Sequence, residues 1–266
     1  MNYVVLIDVE GVTGVTTYAQ AEASVFGIDM LMSDLNSLLK GLLSTGENTV
    51  VLYEQHTDGC NVRLEELPDG VSVIRGKPTH WSVWRDLGMS VDGLIMLGFH
   101  AKVGEGTLLA HSYMPWNRDI RVNGVSYGEL GIETAMAGEA GVPLVLATGD
   151  SAGMAEALTL SAGALTVTVK ESIGDSQAIC YPPAQTRRLM EEAGRKLCAG
   201  VPDTPALKIE GPVVLEVDLT PGPYLTAFAE TYPALVNGET VTVRADSVID
   251  AWLQYLQKEE ELKATL

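Results

Sequence analysis

The stretch Val4-Val5-Leu6-Ile7-Asp8-Val9-Glu10-Gly11 decides how the rest of the chain is interpreted. Its first four residues are apolar and three of them are β-branched, which predicts a strand buried on both faces, as in a parallel sheet. Asp8 and Glu10 follow where this strand leaves the core. Because residues two apart on a strand point the same way, we expect their carboxylates on one side. Two such charges at a core edge are costly unless a cation or hydrogen-bond donors face them.

This stretch by itself leaves two explanations open. The two acids either cap a helix or meet an arginine at a strand end, or they bind a metal ion. The choice between these explanations depends on which polar residues follow the other predicted strands, because side chains from separate strand ends can share one site.

The composition of the chain sets limits on its class. With 266 residues and 46% hydrophobic content, it can form one large α/β domain or a domain with an appended lobe. There is no apolar run of about 18 residues and no basic, apolar leader at the N-terminus, so we expect neither a membrane span nor a signal peptide. The formal net charge of −18 excludes a general nucleic-acid binder and disfavours anionic membrane surfaces.

The three cysteines indicate a reducing compartment. Cys60, Cys180 and Cys198 are odd in number and irregular in spacing, which argues against a disulfide framework. We therefore expect a cytoplasmic protein.

Predicted strands and helices alternate along the chain, which indicates a three-layer α/β/α architecture with a mostly parallel central sheet. Apolar strands are expected around residues 4–7, 50–53, 71–74, 93–99, 142–147 and 165–169, with amphipathic helices over residues 28–45 and 183–199. Asn123-Gly124 predicts a type I′ hairpin turn. After a plausible linker at residues 201–205, residues 206–266 read as a smaller strand–helix–strand–helix lobe. It is either packed on a catalytic domain of residues 1–200 or continuous with it.

Three of the apolar strands end in residues that can bind metals. Asp8 and Glu10 follow the first, His56 the second and His100 a later one. Ligands of open α/β sheets bind at the carboxyl ends of the strands, so these side chains can converge, and Glu129 at a predicted helix start is a further contributor. Carboxylate and imidazole ligands suit zinc or a similar divalent ion. Five ligands exceed the needs of one catalytic zinc, which suggests two ions sharing a bridging carboxylate.

A rival site is the sequence Gly149-Asp150-Ser151-Ala152-Gly153, which matches the G-x-S-x-G pattern of serine hydrolases. It follows an apolar strand and precedes a helix, as a nucleophile elbow requires. However, no histidine follows Ser151, whereas that fold places its catalytic histidine after the serine. We therefore interpret this segment as a strand-to-helix turn with Asp150 or Ser151 as the helix cap.

The order of these segments resembles the D-aminopeptidase family. The resemblance rests on five short segments in order: Asp8-Val9-Glu10-Gly11, His56, Gly98-Phe99-His100-Ala101, His111-Ser112 and Gly128-Glu129-Leu130-Gly131. It implies a binuclear zinc peptidase that removes N-terminal residues, possibly D-amino acids, from short peptides. It also implies that the metals are bound by Asp8 (as the bridge), Glu10, His56, His100 and Glu129. The same resemblance implies His111 as the catalytic residue and a homodecameric ring.

The chain departs from the family pattern at two places. Glu54-Gln55 stands before His56 where the family has Asp-Ser or Asp-Gly, and Ile173-Gly174-Asp175-Ser176 lacks an arginine that the family often carries there. We expect metal-assisted amide hydrolysis in which His111 shuttles a proton to the leaving amine or stabilises the oxyanion. The alternatives are a serine esterase that uses Ser151 and a non-catalytic peptide-binding protein that contains metal.

Overall fold

Strands and α-helices alternate along the computed structural model, which describes residues 1–22 and 24–263. The strands in this part of the chain are β1 (Asn2–Ile7), β2 (Thr49–Glu54), β3 (Val71–Ile74), β4 (Gly93–Phe99), β5 (Asn117–Val122), β6 (Val125–Ser126), β7 (Leu144–Asp150), β8 (Leu165–Ile173), β9 (Gln177–Cys180), β10 (Val213–Leu219), β11 (Val236–Asn237) and β12 (Thr240–Ala245). The helices are α1 (Tyr18–Ala21), α2 (Val25–Leu42), α3 (Val83–Asp86), α4 (Glu129–Glu139), α5 (Ser151–Leu160), α6 (Pro183–Ala199), α7 (Pro223–Thr231) and α8 (Val248–Lys263).

The central sheet has the strand order β3-β2-β1-β4-β7-β8-β9. All neighbouring strands run parallel except the last pair, in which β9 is antiparallel to β8. The chain leaves β1 to form β2 and β3 on one side and then crosses to β4 on the other. The strand order therefore reverses between β1 and β4, and a crevice at such a reversal is where open α/β sheets bind ligands.

Strand β1 is buried on both faces, as its sequence predicts. Tyr3, Val5 and Ile7 belong to one apolar cluster with α2 and α6, whereas Val4 and Leu6 belong to the cluster on the opposite face. The opposite face is covered by α4, α5, α8 and a second sheet. The predicted three-layer α/β architecture with a mostly parallel central sheet is thus confirmed.

The second sheet is antiparallel and has the order β11-β12-β10-β5-β6. It includes the predicted hairpin, in which Asn123 (φ 50°) and Gly124 (φ 80°) both have the positive φ of a type I′ turn. Its strands β5 and β6 lie before residue 200 and β10 to β12 after it, so the sheet joins the two predicted parts of the chain. The division at residues 201–205 stays a prediction.

Two helices show how local sequence sets their limits. Helix α6 has the predicted bounds and begins with Pro183, whose fixed φ suits a first helical turn. Helix α2 lies three residues earlier than the predicted 28–45, because the Ser24 side chain accepts a hydrogen bond from Gly27 N (2.9 Å) and caps the helix there. Within the described residues, no helix is both long and apolar enough to cross a membrane.

Gly98, near the end of β4, allows two chain segments to approach closely. Its φ is +80°, and a Cβ atom there would lie 2.2 Å from the carbonyl oxygen of Asp8. The same segment is joined to the turn after β1 by the hydrogen bonds Asp8 N to Leu97 O (2.9 Å) and Gly11 N to Gly98 O (2.7 Å). An added methyl group would push these segments apart.

We expect Gly98→Ala to lower the free energy of unfolding by about 3 kcal/mol or more, because the clash adds to the roughly 1–2 kcal/mol cost of a positive φ. Gly70→Ala is the matched control, since Gly70 has a φ of +86° but nothing within 4 Å of its added Cβ. Urea denaturation of both variants measures the difference. Equal losses in the two variants would show that the close approach at Gly98 contributes nothing.

Candidate metal centre

The loops after three neighbouring strands carry the predicted ligands to one place. Asp8 directly follows β1 and Glu10 lies in the turn after it, while His56 and His100 follow β2 and β4. Glu129 is the first residue of α4. Strand alternation predicts that Asp8 and Glu10 lie on one side of the strand, but β1 ends at Ile7 and the turn after it brings the two carboxylates together instead.

His56 lies between the two carboxylates of the first turn. Its Nδ1 atom is 3.0 Å from Asp8 Oδ1 and 3.0 Å from Glu10 Oε2. The other ring nitrogen, Nε2, is 3.1 Å from the carbonyl oxygen of Ala21. The ring is therefore held by the backbone on one edge and faces the acids on the other.

His100 faces Asp8 from the opposite side. Its Nε2 atom is 3.4 Å from Asp8 Oδ2 and 3.6 Å from Glu129 Oε1. His111, in the loop between β4 and β5, stacks on the His100 ring with 4.2 Å between ring centroids and points its Nε2 atom at Glu129 Oε1 (3.6 Å). All six residues predicted from the sequence thus lie in one cluster.

Each of the three imidazoles is oriented in the same way. His100 Nδ1 is 2.9 Å from Ala101 O, and His111 Nδ1 is 2.9 Å from Leu109 O, as His56 Nε2 is bonded to Ala21 O. A carbonyl oxygen can only accept, so the nitrogen beside it carries the proton. In the neutral ring the other nitrogen then presents a lone pair, and in all three residues that nitrogen faces a carboxylate.

A lone pair facing a carboxylate is repulsive unless a positive charge lies between them. Asp8, Glu10, His56 and His100 are each 5% exposed or less, so water screens them little. Asp8 Oδ2, Glu10 Oε2 and His100 Nε2 are buried without a hydrogen-bond partner, and such atoms are costly to leave unpaired. Backbone bonds to the outer edge of ligating histidines are the usual support of metal sites. These residues therefore fit a divalent cation such as zinc.

The shifted pKa values of the cluster also indicate that its carboxylates are stabilised by positive charge. Burial and the neighbouring Glu10 raise the pKa of Asp8 to about 6. Burial would raise the pKa of Glu10 too, but His56 outweighs it and holds that pKa well below its usual range. Burial opposes protonation of His56 and His100, yet the facing carboxylates raise their pKa values to about 10 and about 9. Protons on the rings offset the acids, and a bound cation would replace them.

Two groups of three residues have ligand atoms within 4.8 Å of one another: Asp8, Glu10 and His100, and His100, His111 and Glu129. The groups share His100, and His56 is in contact with both acids of the first. His111 is thus near enough to Glu129 and His100 to serve as a ligand, whereas the resemblance to the D-aminopeptidase family implies a catalytic role for it.

Lys170 supports the turn that carries Glu10, and the sequence argument did not include it in the site. It is buried in β8, and its Nζ atom donates hydrogen bonds to the backbone oxygens of Glu10, Val12 (3.0 Å) and Val15. Burial lowers its pKa to about 8. The available signal was a lysine directly after the strand residues Val167-Thr168-Val169, because a charge at a buried strand position needs polar partners.

Glu54, where the chain departs from the family pattern, supports the loop after β2. Its side chain is fully buried and forms an ion pair with Arg75 (2.9 Å). The same carboxylate accepts hydrogen bonds from the backbone N–H groups of Asn61 and Val62. Glu54 therefore holds the loop that follows His56.

The G-x-S-x-G segment is a helix start, as predicted. Asp150 caps α5 by accepting a hydrogen bond from Gly153 N (2.9 Å), and its other oxygen accepts from the Ser172 hydroxyl. Ser151 Oγ accepts from Ser172 N (3.2 Å). In the part of the chain that the structure describes, no histidine forms a hydrogen bond with Ser151.

Comparisons with known proteins relate this chain to D-aminopeptidases. A family profile described as D-aminopeptidase, peptidase family M55, matches residues 1–256. The D-aminopeptidase of Bacillus subtilis strain 168 is 26% identical over 196 residues, which cover 72% of this chain and 72% of that protein. A solved structure described as the Zn-dependent D-aminopeptidase DppA from Bacillus subtilis, a self-compartmentalizing protease, has a TM-score of 0.87 at 24% identity, covering 99% of this chain and 98% of that one. At that identity the likeness concerns the fold.

We expect Lys170→Met to weaken zinc binding by roughly 10- to 100-fold, because the turn that orients Glu10 loses its central donor. Titration with a zinc-sensitive chelating dye measures the affinity. Lys40→Met is the control, since Lys40 is exposed and pairs with Glu191 outside the cluster. Wild-type zinc affinity in Lys170→Met would contradict the supporting role.

Proposed function

This chain belongs to the D-aminopeptidase family of metallo-peptidases, and from that premise we propose that it hydrolyses N-terminal residues, D-residues included, from short peptides. The observation that carries the proposal is the buried cluster in which three imidazole nitrogens and three carboxylates face one another at distances of 3.0–3.6 Å. Such a cluster is stable in its neutral-imidazole form only with bound metal.

We assign two zinc ions per chain to five side chains: Asp8, Glu10, His56, His100 and Glu129. The geometry around Asp8 supports a bridging role, because its Oδ1 atom lies near His56 and its Oδ2 atom near His100. Glu10 supplements the first position and Glu129 the second. Zinc bound here supplies a Lewis acid that polarises a carbonyl and lowers the pKa of water.

His111 is the proposed proton-transfer residue. Its Nδ1 proton is held by Leu109 O, so in the neutral ring only Nε2 can accept a proton and deliver it to a leaving amine. The His111 side chain is 19% exposed, compared with 2% for His100 and 4% for His56, so substrate can reach it.

The backbone beside His111 is unusual in a way that supports this role. Leu109 (φ 55°) and Tyr113 (φ 59°) both have positive φ without being glycine. Such conformations cost about 1–3 kcal/mol and cluster at active sites, where the surrounding structure holds them. Here they flank His111 and turn its ring onto that of His100.

The two other classes are not favoured. A serine esterase would need a histidine hydrogen-bonded to the Ser151 hydroxyl. Ser151 instead lies in the first turn of α5, next to Asp150, which caps that helix. A non-catalytic metal-containing binding protein does not require an accessible imidazole beside a buried ligand cluster. Membership of a peptidase family also favours an enzyme.

We propose a cytoplasmic location and an oligomer, with the homodecameric ring as its form. The irregular cysteines support the location. The related structure is described as a self-compartmentalizing protease, which supports an assembly that encloses its active sites. Large exposed apolar side chains on this chain, among them Val25, Ile173 and Ile179, offer surface for subunit contacts.

We expect removal of metal with 1,10-phenanthroline to abolish release of amino acids from a panel of L- and D-dipeptides, and added zinc to restore it. The reason is that the carbonyl is polarised only when the cluster holds zinc. Elemental analysis should give two zinc ions per chain. Ser151→Ala serves as the comparison and should keep wild-type turnover. Turnover that survives metal removal but not Ser151→Ala would establish the esterase instead.

His111→Ala should lower kcat by roughly 10²- to 10⁴-fold, the usual contribution of a general acid–base group, while zinc content stays near wild type. Steady-state kinetics and elemental analysis on the same preparation measure both quantities. The control is His80→Ala, because His80 is exposed and outside the cluster. Loss of zinc from His111→Ala would identify His111 as a ligand and overturn the assigned role.

A further inference from the structure

A cavity of about 360 Å³ lies on the face of the central sheet that α4 and α8 cover. That volume is within the range of small-molecule sites. None of the six residues of the metal cluster lines it. Tyr113 stands between the two sites, because its backbone N–H donates to Glu129 Oε1 (2.6 Å) and its hydroxyl donates to Glu133 Oε1 (3.2 Å). The cavity therefore adjoins the cluster of candidate metal ligands, with Tyr113 in contact with both.

The walls of this cavity are largely aromatic. Tyr53, Trp81 and Trp84 line one side, and Trp252 and Tyr255 of α8 line another. Tyr53 and Trp81 meet edge to face at 6.3 Å, and Trp252 stacks on Tyr255 at 5.5 Å. Aromatic faces of this kind hold apolar groups and attract cations.

Glu133 provides a buried carboxylate in the cavity without a cation beside it. It is 2% exposed, its Oε2 atom has no hydrogen-bond partner, and no lysine, arginine or histidine of the described residues forms an ion pair with it. Burial raises the pKa of the Glu133 carboxyl group to about 7, although the polar side chains of Gln55, Tyr113 and Trp84 lower that pKa. A buried carboxylate without an ion pair would be stabilised by a positively charged partner.

Other buried carboxylates outside the metal cluster have their partners. Asp34 accepts two hydrogen bonds from Thr13, and both oxygens of Glu54 and of Asp150 are bonded. Glu259, which also lines the cavity, forms an ion pair with Lys263 (2.9 Å). Asp34 and Asp150 form no ion pair, but both oxygens of each accept hydrogen bonds, whereas Glu133 has neither an ion pair nor a partner for its Oε2 atom among the described residues.

The unpartnered atoms of the cavity are mostly acceptors. Asn117 Oδ1, Glu133 Oε2 and Glu259 Oε1 can only accept, Trp84 Nε1 can only donate, and the Tyr255 hydroxyl can do either. A ligand that complements them must mainly donate hydrogen bonds. No group of three metal-ligating side chains within the described residues includes Glu133, so a metal ion is not the complement.

We propose that this cavity binds a primary ammonium that carries an aromatic or bulky hydrophobic group. The ammonium, with three donors, meets Glu133, and the hydrophobic group packs against Trp84, Met136 and Trp252. The acidic residues of the lining outnumber the lysines, with Asp58, Glu133, Glu259 and Glu260 against Lys77 and Lys263, which favours a cation over an anion.

The test is isothermal titration calorimetry of the full-length, zinc-loaded protein with 2-phenylethylammonium chloride. We expect saturable binding of one molecule per chain. The neutral analogue 2-phenylethanol has nearly the same shape and should bind at least about tenfold more weakly, because it lacks the charge that Glu133 requires. Equal binding of the two compounds, or no saturable binding, would overturn the proposal.

Variants locate the binding. Glu133→Gln removes the charge and should weaken binding at least about tenfold, and Met136→Trp should abolish it by filling the cavity. Glu47→Gln, at an exposed position that does not line the cavity, is the matched control and should bind within about twofold of wild type. Zinc content is measured for each variant, so that loss of binding is not loss of metal.

Wild-type affinity in Met136→Trp would overturn the site even if Glu133→Gln failed to fold. The measurement uses no peptide hydrolysis, so its result is independent of the proposed peptidase activity.

Discussion

Three imidazole nitrogens face three carboxylates at the carboxyl end of the central sheet, and the surrounding structure is organised to keep them there. Each imidazole is fixed by a backbone carbonyl on its outer edge, so none can turn away from the acids. The lone pairs of the imidazole nitrogens and of the carboxylate oxygens, 3.0–3.6 Å apart, repel one another unless a positive charge lies between them. A divalent cation would provide that charge without the protons that block the nitrogens, and these residues fit such a cation.

The scaffold satisfies this requirement with rigid elements. Neighbouring strands β2, β1 and β4 end together, so the loops after them start from a common edge. Gly98 lets the backbone of β4 touch Asp8, and Lys170 gathers the carbonyl groups of the turn that follows. Hydrogen bonds of a charged donor inside the protein are strong and directional. The protein itself thereby holds these side chains in place, which would reduce the ordering cost of binding a cation.

Tyr113 links the cluster of candidate metal ligands to the neighbouring aromatic cavity. Through its backbone and its hydroxyl it contacts two carboxylates one helical turn apart on α4, Glu129 and Glu133. The first faces imidazoles and the second faces aromatic rings, so two acids on the same helix face have different electrostatic surroundings. The spacing of four residues puts both acids on one face of α4, and the packing of α8 and of the loop before β5 gives them different environments.

The sequence alone determined the fold class and brought Asp8, Glu10, His56 and His100 together, because buried parallel strands read as apolar runs and polar residues at their ends meet at one sheet edge. Glu129 does not end a strand, and His111 was indicated only by the resemblance to the D-aminopeptidase family. Tertiary structure decided what local patterns do not contain: that a turn and not strand alternation pairs Asp8 with Glu10, that His111 stacks on His100, and that Lys170 supports the site from β8. These features depend on contacts between residues far apart in the chain, and periodicity carries no information about such contacts.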